Sequence, residues 1–285
     1  MTPIYRNQLL EEASGFSEVW IKDESHHPTG TFKDRRSKLI METAKKKSAQ
    51  KLVIISAGNA AYSLAKHAQG TGIEVATVID ESLDPSIRRV LENIFRQVIA
   101  LDLSKEALGS DRLISMVRED PKKCILDVTN GYHNAYAKII DELQHQLTQM
   151  PTTIVVPTGS AEAMVGLIVG LTRHQMNQTA VVGVRSETNE RLRSNFIYGP
   201  YGNVLKLPLS FPKTVVEYCS GRTDDQVLEY VPPNVRAEAA SAYAFEFLVE
   251  GMRYTKGVTG DRIVIINSGC GKILEVAKRN SFSCE

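Results

Sequence analysis

The stretch Lys22-Asp-Glu-Ser-His-His-Pro-Thr-Gly-Thr-Phe-Lys-Asp-Arg35 carries a lysine at a chemically useful position. The Pro-Thr-Gly turn predicts a loop, and Thr31 followed by Asp34 is typical of a capping box, so we expect a helix from Thr31 towards Lys47. Lys33 would lie in its first turn, where unpaired amides and nearby basic side chains disfavour an ammonium. A neutral amine is the form that attacks a carbonyl. A charged, solvated helix start is the alternative that these residues leave open.

The same stretch resembles the cofactor-lysine motif of fold type II pyridoxal-phosphate enzymes. The match is to the threonine synthase-like branch of the tryptophan synthase beta superfamily, usually written Lys-x-Glu-x-x-x-Pro-Thr-Gly-Ser-Phe-Lys-Asp-Arg. Every defined position matches without a gap, except that Thr31 stands where serine is usual. The resemblance implies that Lys33 forms the internal aldimine with pyridoxal 5′-phosphate and shuttles protons once substrate displaces it.

Composition is ordinary for a globular protein and points to no special class of partner. The 285 residues are 42% hydrophobic and 24% charged, with a net charge of +1, which gives no reason to expect nucleic acid or an anionic membrane. The four cysteines are scattered and the six histidines show no metal-ligand spacing, so we expect reduced thiols and no metal. No stretch reaches membrane-spanning length, and we expect a cytoplasmic protein.

From Lys51 onward, short β-branched runs alternate with helical stretches, which predicts βαβ units on mostly parallel sheets. The predicted strands are 18–22, 52–55, 75–79, 98–101, 124–128, 153–156, 180–184 and 263–266. The predicted helices are 60–69, 85–96, 105–119, 136–149, 162–174 and 237–252. Residues 198–233 are rich in Gly and Pro and predict a loop region with short elements.

The resemblance adds an arrangement to this α/β pattern. It implies a two-domain fold type II architecture with twisted, mostly parallel sheets. Residues 1–44 and 135–285 would form the larger, cofactor-binding domain, and residues 45–134 a smaller inserted α/β domain. Homodimers are common among such enzymes, and we expect one here.

Ser56-Ala57-Gly58-Asn59-Ala60 joins a strand to a helix, where backbone amides suit an anion such as a substrate carboxylate. The residues alone favour an ordinary N-cap asparagine. This turn, however, resembles the family's Ser-x-Gly-Asn loop. That resemblance implies that Asn59 contacts the cofactor's 3′-oxygen. It also implies that the substrate carboxylate is held by Ser56, Ala57, Gly58, Asn59 and Ala60.

Thr158, Gly159, Ser160 and Ala161 follow a strand at the place where the family has its phosphate cradle, although the usual glycine-rich pattern is altered. Small residues here let amides close around a phosphate, and the Ser160 hydroxyl is an extra donor. Glu162 would repel a phosphate that it faced. Its alternative is a solvent-facing glutamate that complements the helix dipole.

Asn267-Ser268-Gly269-Cys270-Gly271 resembles the family's Thr-Gly-x-Gly end, which implies that the Ser268 hydroxyl meets the cofactor's pyridine nitrogen. A hydroxyl partner suits β- or γ-elimination and replacement better than transamination. A simple turn is the alternative. The segment Glu238-Ala-Ala-Ser-Ala-Tyr243 only faintly resembles a family motif, and we assign it no catalytic role.

These features predict an enzyme that carries out elimination or replacement on a small, possibly O-phosphorylated, amino acid, with threonine synthase as the nearest branch. Cysteine or cysteate synthases and threonine dehydratases are alternatives of the same fold type. A non-catalytic binding or regulatory protein is an alternative of another class, motivated by the altered phosphate loop.

Overall fold

The computed structural model describes residues 1–105, 108–186, 191–193, 196–198, 204–206, 215–252, 255 and 260–273. Contacts group the chain into two compact units. Unit 1 comprises Met1–Gly30 and His133–Cys270, and unit 2 comprises Thr31–Tyr132 and Gly271–Glu285. The domain division proposed above at residues 45 and 134 stays a prediction. Cys284 lies outside the described residues.

The elements follow one another in chain order. The first part of the chain contains β1 (Ile4–Arg6), α1 (Gln8–Ser14), β2 (Glu18–Asp23), α2 (Lys33–Lys46), β3 (Lys51–Ile55), α3 (Asn59–Ala68), β4 (Glu74–Asp80), α4 (Pro85–Ile94), β5 (Gln97–Leu101), α5 (Ser110–Val117) and β6 (Ile125–Asp127). The second part contains α6 (Asn134–Gln146), β7 (Thr153–Pro157), α7 (Glu162–Arg173), β8 (Ala180–Ser186), β9 (Arg191–Arg193), β10 (Phe196–Tyr198), β11 (Val204–Lys206), β12 (Val215–Ser220), α8 (Asp224–Leu228), α9 (Ala239–Glu246) and β13 (Arg262–Asn267).

Unit 1 is built on a six-stranded sheet of order β1-β2-β13-β7-β8-β12. Only the β1–β2 pair is antiparallel, and every other pair is parallel. When a parallel sheet is covered on both faces, its central strands consist of consecutive apolar residues. Residues Ile263 to Ile266 of β13 follow this pattern and are fully buried. The carboxyl ends of β7 and β13 are therefore neighbours at one edge of the sheet.

Helices α6 and α7 of unit 1 pack closely because glycines of α7 face α6. A Cβ atom on Gly166 would lie 2.3 Å from the His133 carbonyl oxygen, and one on Gly170 would lie 2.7 Å from Ile140 Cγ1. Real Cβ atoms do not approach so closely, so these positions require glycine. The packing fixes the amino-terminal end of α7 directly after β7.

Unit 2 is built on a four-stranded parallel sheet of order β5-β4-β3-β6. All five residues of β3 are buried, and α2 and α3 contribute Ile40, Ala44 and Leu64 to the same core. The carboxyl end of β3 leads directly into the turn before α3. Such turns in parallel α/β sheets are where ligands bind.

The α/β class with mostly parallel strands is confirmed, and every predicted strand and helix is present with shifted ends. The sequence patterns missed β1, α1 and the short strands β9 to β11. Within the predicted loop region, β12 and α8 are regular elements. No helix in the part of the chain that the structure describes is both long and apolar enough to cross a membrane.

The predicted start of α2 at Thr31 is wrong by two residues. The helix begins at Lys33, and its N-cap residue is Phe32, which has helical backbone angles and no side-chain cap. Thr31 accepts a hydrogen bond from the Lys33 amide at 3.3 Å. Asp34, expected to complete a capping box, instead contacts another helix, because a buried partner is available there.

Candidate active site

Lys33 is the first residue of α2, where its side chain is half-buried. Its Nζ atom lies 4.8 Å from the centroid of the Phe32 ring. The two preceding residues, Thr31 and Phe32, are both buried. The sequence prediction that Lys33 occupies the first turn of a helix is therefore confirmed by the position of α2.

Asp34, the next residue, fastens α2 to α3. Its carboxylate is buried, and the Ser63 hydroxyl donates to Asp34 Oδ1 at 2.5 Å. Ser63 Oγ also lies 2.7 Å from Ser37 Oγ, and His67 Nε2 lies 3.4 Å from the same Asp34 oxygen. Buried carboxylates require such partners. The network holds the start of α2 against the helix that follows the Ser56–Ala60 turn.

The Ser56–Ala60 turn is fixed by backbone contacts with β4. The Ser56 amide donates to the Val78 carbonyl at 3.1 Å, and the Thr77 hydroxyl donates to the Ser56 carbonyl at 2.7 Å. Gly58 is the N-cap residue of α3, and a Cβ added to it would meet nothing within 4 Å. The turn therefore presents an open face to a ligand.

Asn59 is the first residue of α3 and not its N-cap, so the interpretation of Asn59 as an ordinary N-cap asparagine is wrong. Its side chain is half-buried, as are those of Ser56, Ala57 and Ala60 in the same turn.

The Thr158–Ala161 turn connects β7 to α7 in unit 1. The Thr158 amide and hydroxyl both donate to the Val184 carbonyl, at 2.7 and 3.1 Å. Gly159 is exposed and a Cβ there would meet nothing within 4 Å. Ala161 has a φ of +49°, in the left-handed region. The turn is thus held at one end and open at its tip.

Among the described residues, the backbone amides of Gly159, Ser160 and Ala161 donate to no protein acceptor. Consecutive unpaired amides before a helix, with one residue in the left-handed region, form a concave anion site. The open face above Gly159 leaves room for the anion. This turn fits the phosphate group of a pyridoxal-phosphate cofactor.

Glu162 is 1% exposed, so the interpretation of this residue as a solvent-facing glutamate is wrong. Its carboxylate acts on His133 at the start of α6. Burial lowers the pKa of His133, and the charge of Glu162 opposes that effect. The buried Nδ1 atom of His133 has no hydrogen-bond partner among the described residues. The carboxylate is therefore enclosed where α6 and α7 pack.

Ser268 follows β13 and is 2% exposed. Its Oγ atom lies 2.8 Å from Ser241 Oγ and 3.5 Å from Glu238 Oε1. The Glu238 amide also donates to the Gly269 carbonyl at 3.0 Å. The structure therefore brings the Glu238–Tyr243 segment, to which the sequence analysis assigned no catalytic role, directly against Ser268. The faint family resemblance of this segment, with Glu238 and Ser241 three positions apart, was the only indication of this contact in the sequence.

The remaining sequence candidates near the lysine motif have structural partners. His27 Nε2 lies 3.1 Å from the buried Glu24 carboxylate, and only His26 is exposed. Cys124, Cys219 and Cys270 form no disulfide. In the described ranges, His, Cys, Asp and Glu side chains form no group that could hold a metal ion.

Each unit thus carries part of the predicted machinery. Lys33 and the Ser56–Ala60 turn belong to unit 2, while the Thr158–Ala161 turn and Ser268 belong to unit 1. Within unit 1, the last two follow the neighbouring strands β7 and β13, so their carboxyl-end turns share one edge of the sheet.

Comparisons with known proteins show the family to which the chain belongs. The profile of a family described as pyridoxal-phosphate dependent enzyme matches residues 1–269. Threonine synthase of Methanocaldococcus jannaschii is 26% identical over 165 residues, which are 56% of this chain and 40% of that protein. Cysteine synthase B of Salmonella typhimurium is 25% identical over 193 residues, 65% of this chain and 63% of that protein.

Solved structures share the fold. Maize serine racemase superposes with a TM-score of 0.72 at 17% identity, covering 99% of this chain and 92% of that one. A fungal L-serine ammonia-lyase from Rhizomucor miehei superposes with a TM-score of 0.70 at 15% identity, covering 100% and 98%. The chain belongs to the pyridoxal-phosphate dependent enzymes of fold type II. It spans 40% of the length of the threonine synthases that it resembles.

Proposed function

We propose that this protein catalyses elimination or replacement at the β or γ carbon of a small amino acid. The observation that carries the proposal is the attachment of Lys33. The lysine begins α2, and its neighbour Asp34 is fixed by the buried hydrogen bond from Ser63. Residues that act on a reacting atom must be held in place, and packed helices hold them better than loops.

The cofactor, when bound, supplies an electron sink that stabilises the electron pair left at a substrate carbon after proton removal. The residues of this chain would hold its parts separately. Amides of Gly159, Ser160 and Ala161 would bind the phosphate, with Thr158 fixing the turn. Asn59 would donate to the phenolic oxygen, and Ser268 would hydrogen-bond the ring nitrogen.

Lys33 would be the residue that bonds to the cofactor aldehyde and moves a proton to and from the substrate α-carbon. A lysine amine serves both tasks when it is neutral. The substrate carboxylate would be held by the Ser56 hydroxyl and by Ala57, Gly58, Asn59 and Ala60. The open face above Gly58 supports this assignment, since a carboxylate needs close access to backbone amides.

The choice of elimination or replacement rests on Ser268. A neutral hydroxyl stabilises a protonated ring nitrogen much less than a carboxylate does, so the ring is a weaker electron sink. A weaker electron sink favours elimination or replacement of a leaving group over transamination. The nearest hydrogen-bond partner of Ser268 is another hydroxyl, that of Ser241 at 2.8 Å, and not a carboxylate.

Among specific reactions, we favour threonine synthase-like chemistry, with O-phosphohomoserine as the first substrate to test. The long ungapped lysine motif supports that branch. A cysteine or cysteate synthase-like or a threonine dehydratase-like activity has similar support, because relatives at comparable identity include a cysteine synthase and an L-serine dehydratase from Dictyostelium discoideum. A homodimer in the cytoplasm is part of the same proposal.

A non-catalytic binding or regulatory protein is the second candidate. Its support is the Thr158–Ala161 turn, where Ala161 occupies a left-handed position that favours glycine and a buried glutamate follows. A side chain in that conformation is strained, and a carboxylate near a phosphate weakens binding. These features would retain the fold while reducing cofactor affinity.

The test is turnover by the purified protein with added cofactor. Phosphorylated, acetylated and unmodified amino acids are screened for release of phosphate, acetate, ammonia or a keto acid. We expect one substrate class to turn over, and Lys33→Ala to abolish turnover while Lys38→Ala, an exposed lysine on the same helix, retains it. No turnover across the whole panel would reject the enzyme in favour of the second candidate.

A further inference from the structure

The hydrogen bonds around the Ser241 hydroxyl indicate that its proton is donated to Ser268. A serine oxygen accepts through two lone pairs and donates one proton. The backbone amides of Ser268 and Gly269 donate to Ser241 Oγ at 2.9 and 3.3 Å, which occupies both lone pairs. The proton can then reach Ser268 Oγ at 2.8 Å or the Gly269 carbonyl at 3.5 Å. The shorter, better contact is the one to Ser268.

This assignment fixes the direction of the Ser268 hydroxyl. Because Ser268 Oγ accepts from Ser241, its own proton must be donated elsewhere. The protein acceptor within reach, among the described residues, is Glu238 Oε1 at 3.5 Å, the outer limit of a hydrogen bond. The proton of Ser268 is therefore available to a ligand group that approaches more closely.

We infer that Ser241 is a positioning residue that makes Ser268 a hydrogen-bond donor to the ring nitrogen of the cofactor. The inference rests on the proposed function and adds a specific role for α9, on which Ser241 lies. A nitrogen that accepts a hydrogen bond keeps its lone pair and stays unprotonated. Without the hydrogen bond from Ser241, the orientation of the Ser268 hydroxyl is no longer constrained, so Ser268 can turn its proton towards Glu238 and offer the nitrogen a lone pair.

Burial strengthens the effect. Ser241 is 0% and Ser268 is 2% exposed, so water does not compete for either hydroxyl. Hydrogen bonds in such surroundings are stronger and their directions are more firmly set than at a surface. The backbone bond from Glu238 to Gly269 keeps the start of α9 beside the loop after β13, so the two serines stay in register.

The experiment measures the nitrogen itself, by ¹⁵N NMR of the full-length protein loaded with ring-¹⁵N pyridoxal phosphate. Wild type is expected to show the shift of an unprotonated pyridine. Ser268→Asp provides a carboxylate partner and a reference for the protonated form. Ser241→Ala is expected to move the resonance towards that reference and to weaken cofactor affinity roughly two- to tenfold. Ser241→Thr, which restores a hydroxyl, is expected to return the wild-type shift.

Ser14→Ala is the matched control, because it removes another buried serine hydroxyl of unit 1, which bonds to Leu10. It should keep the wild-type shift. If Ser241→Ala does not fold, Ser241→Cys, which keeps the size but donates weakly, replaces it with the same expected direction. A wild-type shift in the Ser241 variant would overturn the inference alone. A wild-type protein that binds no cofactor would overturn both it and the proposed function.

Discussion

At the scale of single residues, the buried carboxyl of Glu246 at the end of α9 makes stability depend on pH. Burial raises the pKa of Glu246, and the Tyr218 hydroxyl, 3.1 Å away, only partly offsets this effect. The same burial, together with the charge of Glu246, raises the pKa of Tyr218 to about 12. The folded state therefore favours the protonated acid at position 246.

The sign of the pH dependence follows from this raised pKa. The folded protein binds the Glu246 proton more tightly than the unfolded chain, so this contribution to stability is complete below the ordinary value of 4.5 and is lost as pH rises through the folded pKa. We predict that Glu246→Gln, which cannot ionise, gains stability relative to wild type as the pH rises above 4.5, until the folded-state carboxyl is fully ionised. Urea unfolding at several pH values measures the difference. Glu229→Gln, an exposed site, is the control, and parallel curves for all three proteins would contradict the prediction.

Ser63 offers a second test at this scale, because its hydroxyl donates a hydrogen bond to the buried Asp34 carboxylate at 2.5 Å. Removing one partner of a buried charged group costs about 1–3 kcal/mol. Ser63→Ala should lower the free energy of unfolding by this amount and weaken cofactor binding. Ser115→Ala, which removes an exposed hydroxyl that donates to the Arg112 carbonyl, is the control in the same unit. Equal stability of the two variants would show that the Asp34 contact does not hold α2.

At the scale of elements, the glycines of α7 determine how closely this helix approaches α6. A Cβ at Gly170 would lie 2.9 Å from the Ala137 carbonyl, in addition to its contact with Ile140. Overpacking of this kind costs about 1–3 kcal/mol, which exceeds the gain of about 1 kcal/mol from replacing glycine in a helix.

We therefore predict that Gly170→Ala lowers the free energy of unfolding of the protein. It should also reduce cofactor affinity, because a shifted α7 displaces the amides of the Thr158–Ala161 turn. Gly221→Ala, where a Cβ meets nothing within 4 Å, is the control. Thermal unfolding and cofactor titration measure both effects. A Gly170 variant as stable as the control would mean that α6 can move aside.

At the scale of the whole molecule, the N-terminal segment returns to the sheet of unit 1 although more than a hundred residues of unit 2 follow it in the sequence. Lys22 fastens this segment. Its buried ammonium donates to the Thr2 carbonyl at 2.8 Å, to Glu142 at 2.5 Å and to Gln146 at 2.8 Å. The motif lysine at position 22 thus has a structural task, distinct from the task proposed for Lys33.

We predict that Lys22→Met destabilises the protein by about 3–5 kcal/mol, since removing one member of a buried ion pair leaves the other poorly compensated. The double variant Lys22→Met/Glu142→Leu should recover part of that loss. Arg88→Ala, which breaks an exposed pair with Glu92, should change stability by less than about 1 kcal/mol. A double-mutant cycle by urea unfolding measures the coupling, and a coupling near zero would contradict the prediction.

The sequence predicted the parallel sheets because their strands, such as β3 and β13, are continuous apolar runs between helical stretches. Short strands such as β1 and β9 were not predicted, because a strand of three residues is too short to show a hydrophobic period. The start of α2 was predicted two residues too early because Asp34 accepts a hydrogen bond from Ser63 instead of completing a capping box. Capping rules use only neighbouring residues, and Ser63 lies 29 positions away in the chain. Tertiary contacts decide such cases.

The residues of the candidate site could be predicted where they lie in a motif that resembles the family. Their burial and their contacts with distant residues could not be predicted. Lys33 and the Ser56–Ala60 turn could be proposed from their residues and the family resemblance. The burial of Glu162 could not, because a first-turn glutamate is equally common on a surface and the packing of α6 alone encloses it. The contact between Ser241 and Ser268 was also hidden, since the two residues are 27 positions apart.

The covalent attachment of pyridoxal phosphate to Lys33 is the central claim, and borohydride reduction followed by peptide mass spectrometry tests it most directly. The protein is incubated with the cofactor, reduced, digested and mapped beside Lys33→Ala and Lys38→Ala. We predict a visible absorption band that reduction removes, with a pyridoxyl label on Lys33 in wild type and in Lys38→Ala but none at any lysine of Lys33→Ala. An unlabelled wild-type protein, or a label that persists in Lys33→Ala, would contradict the account.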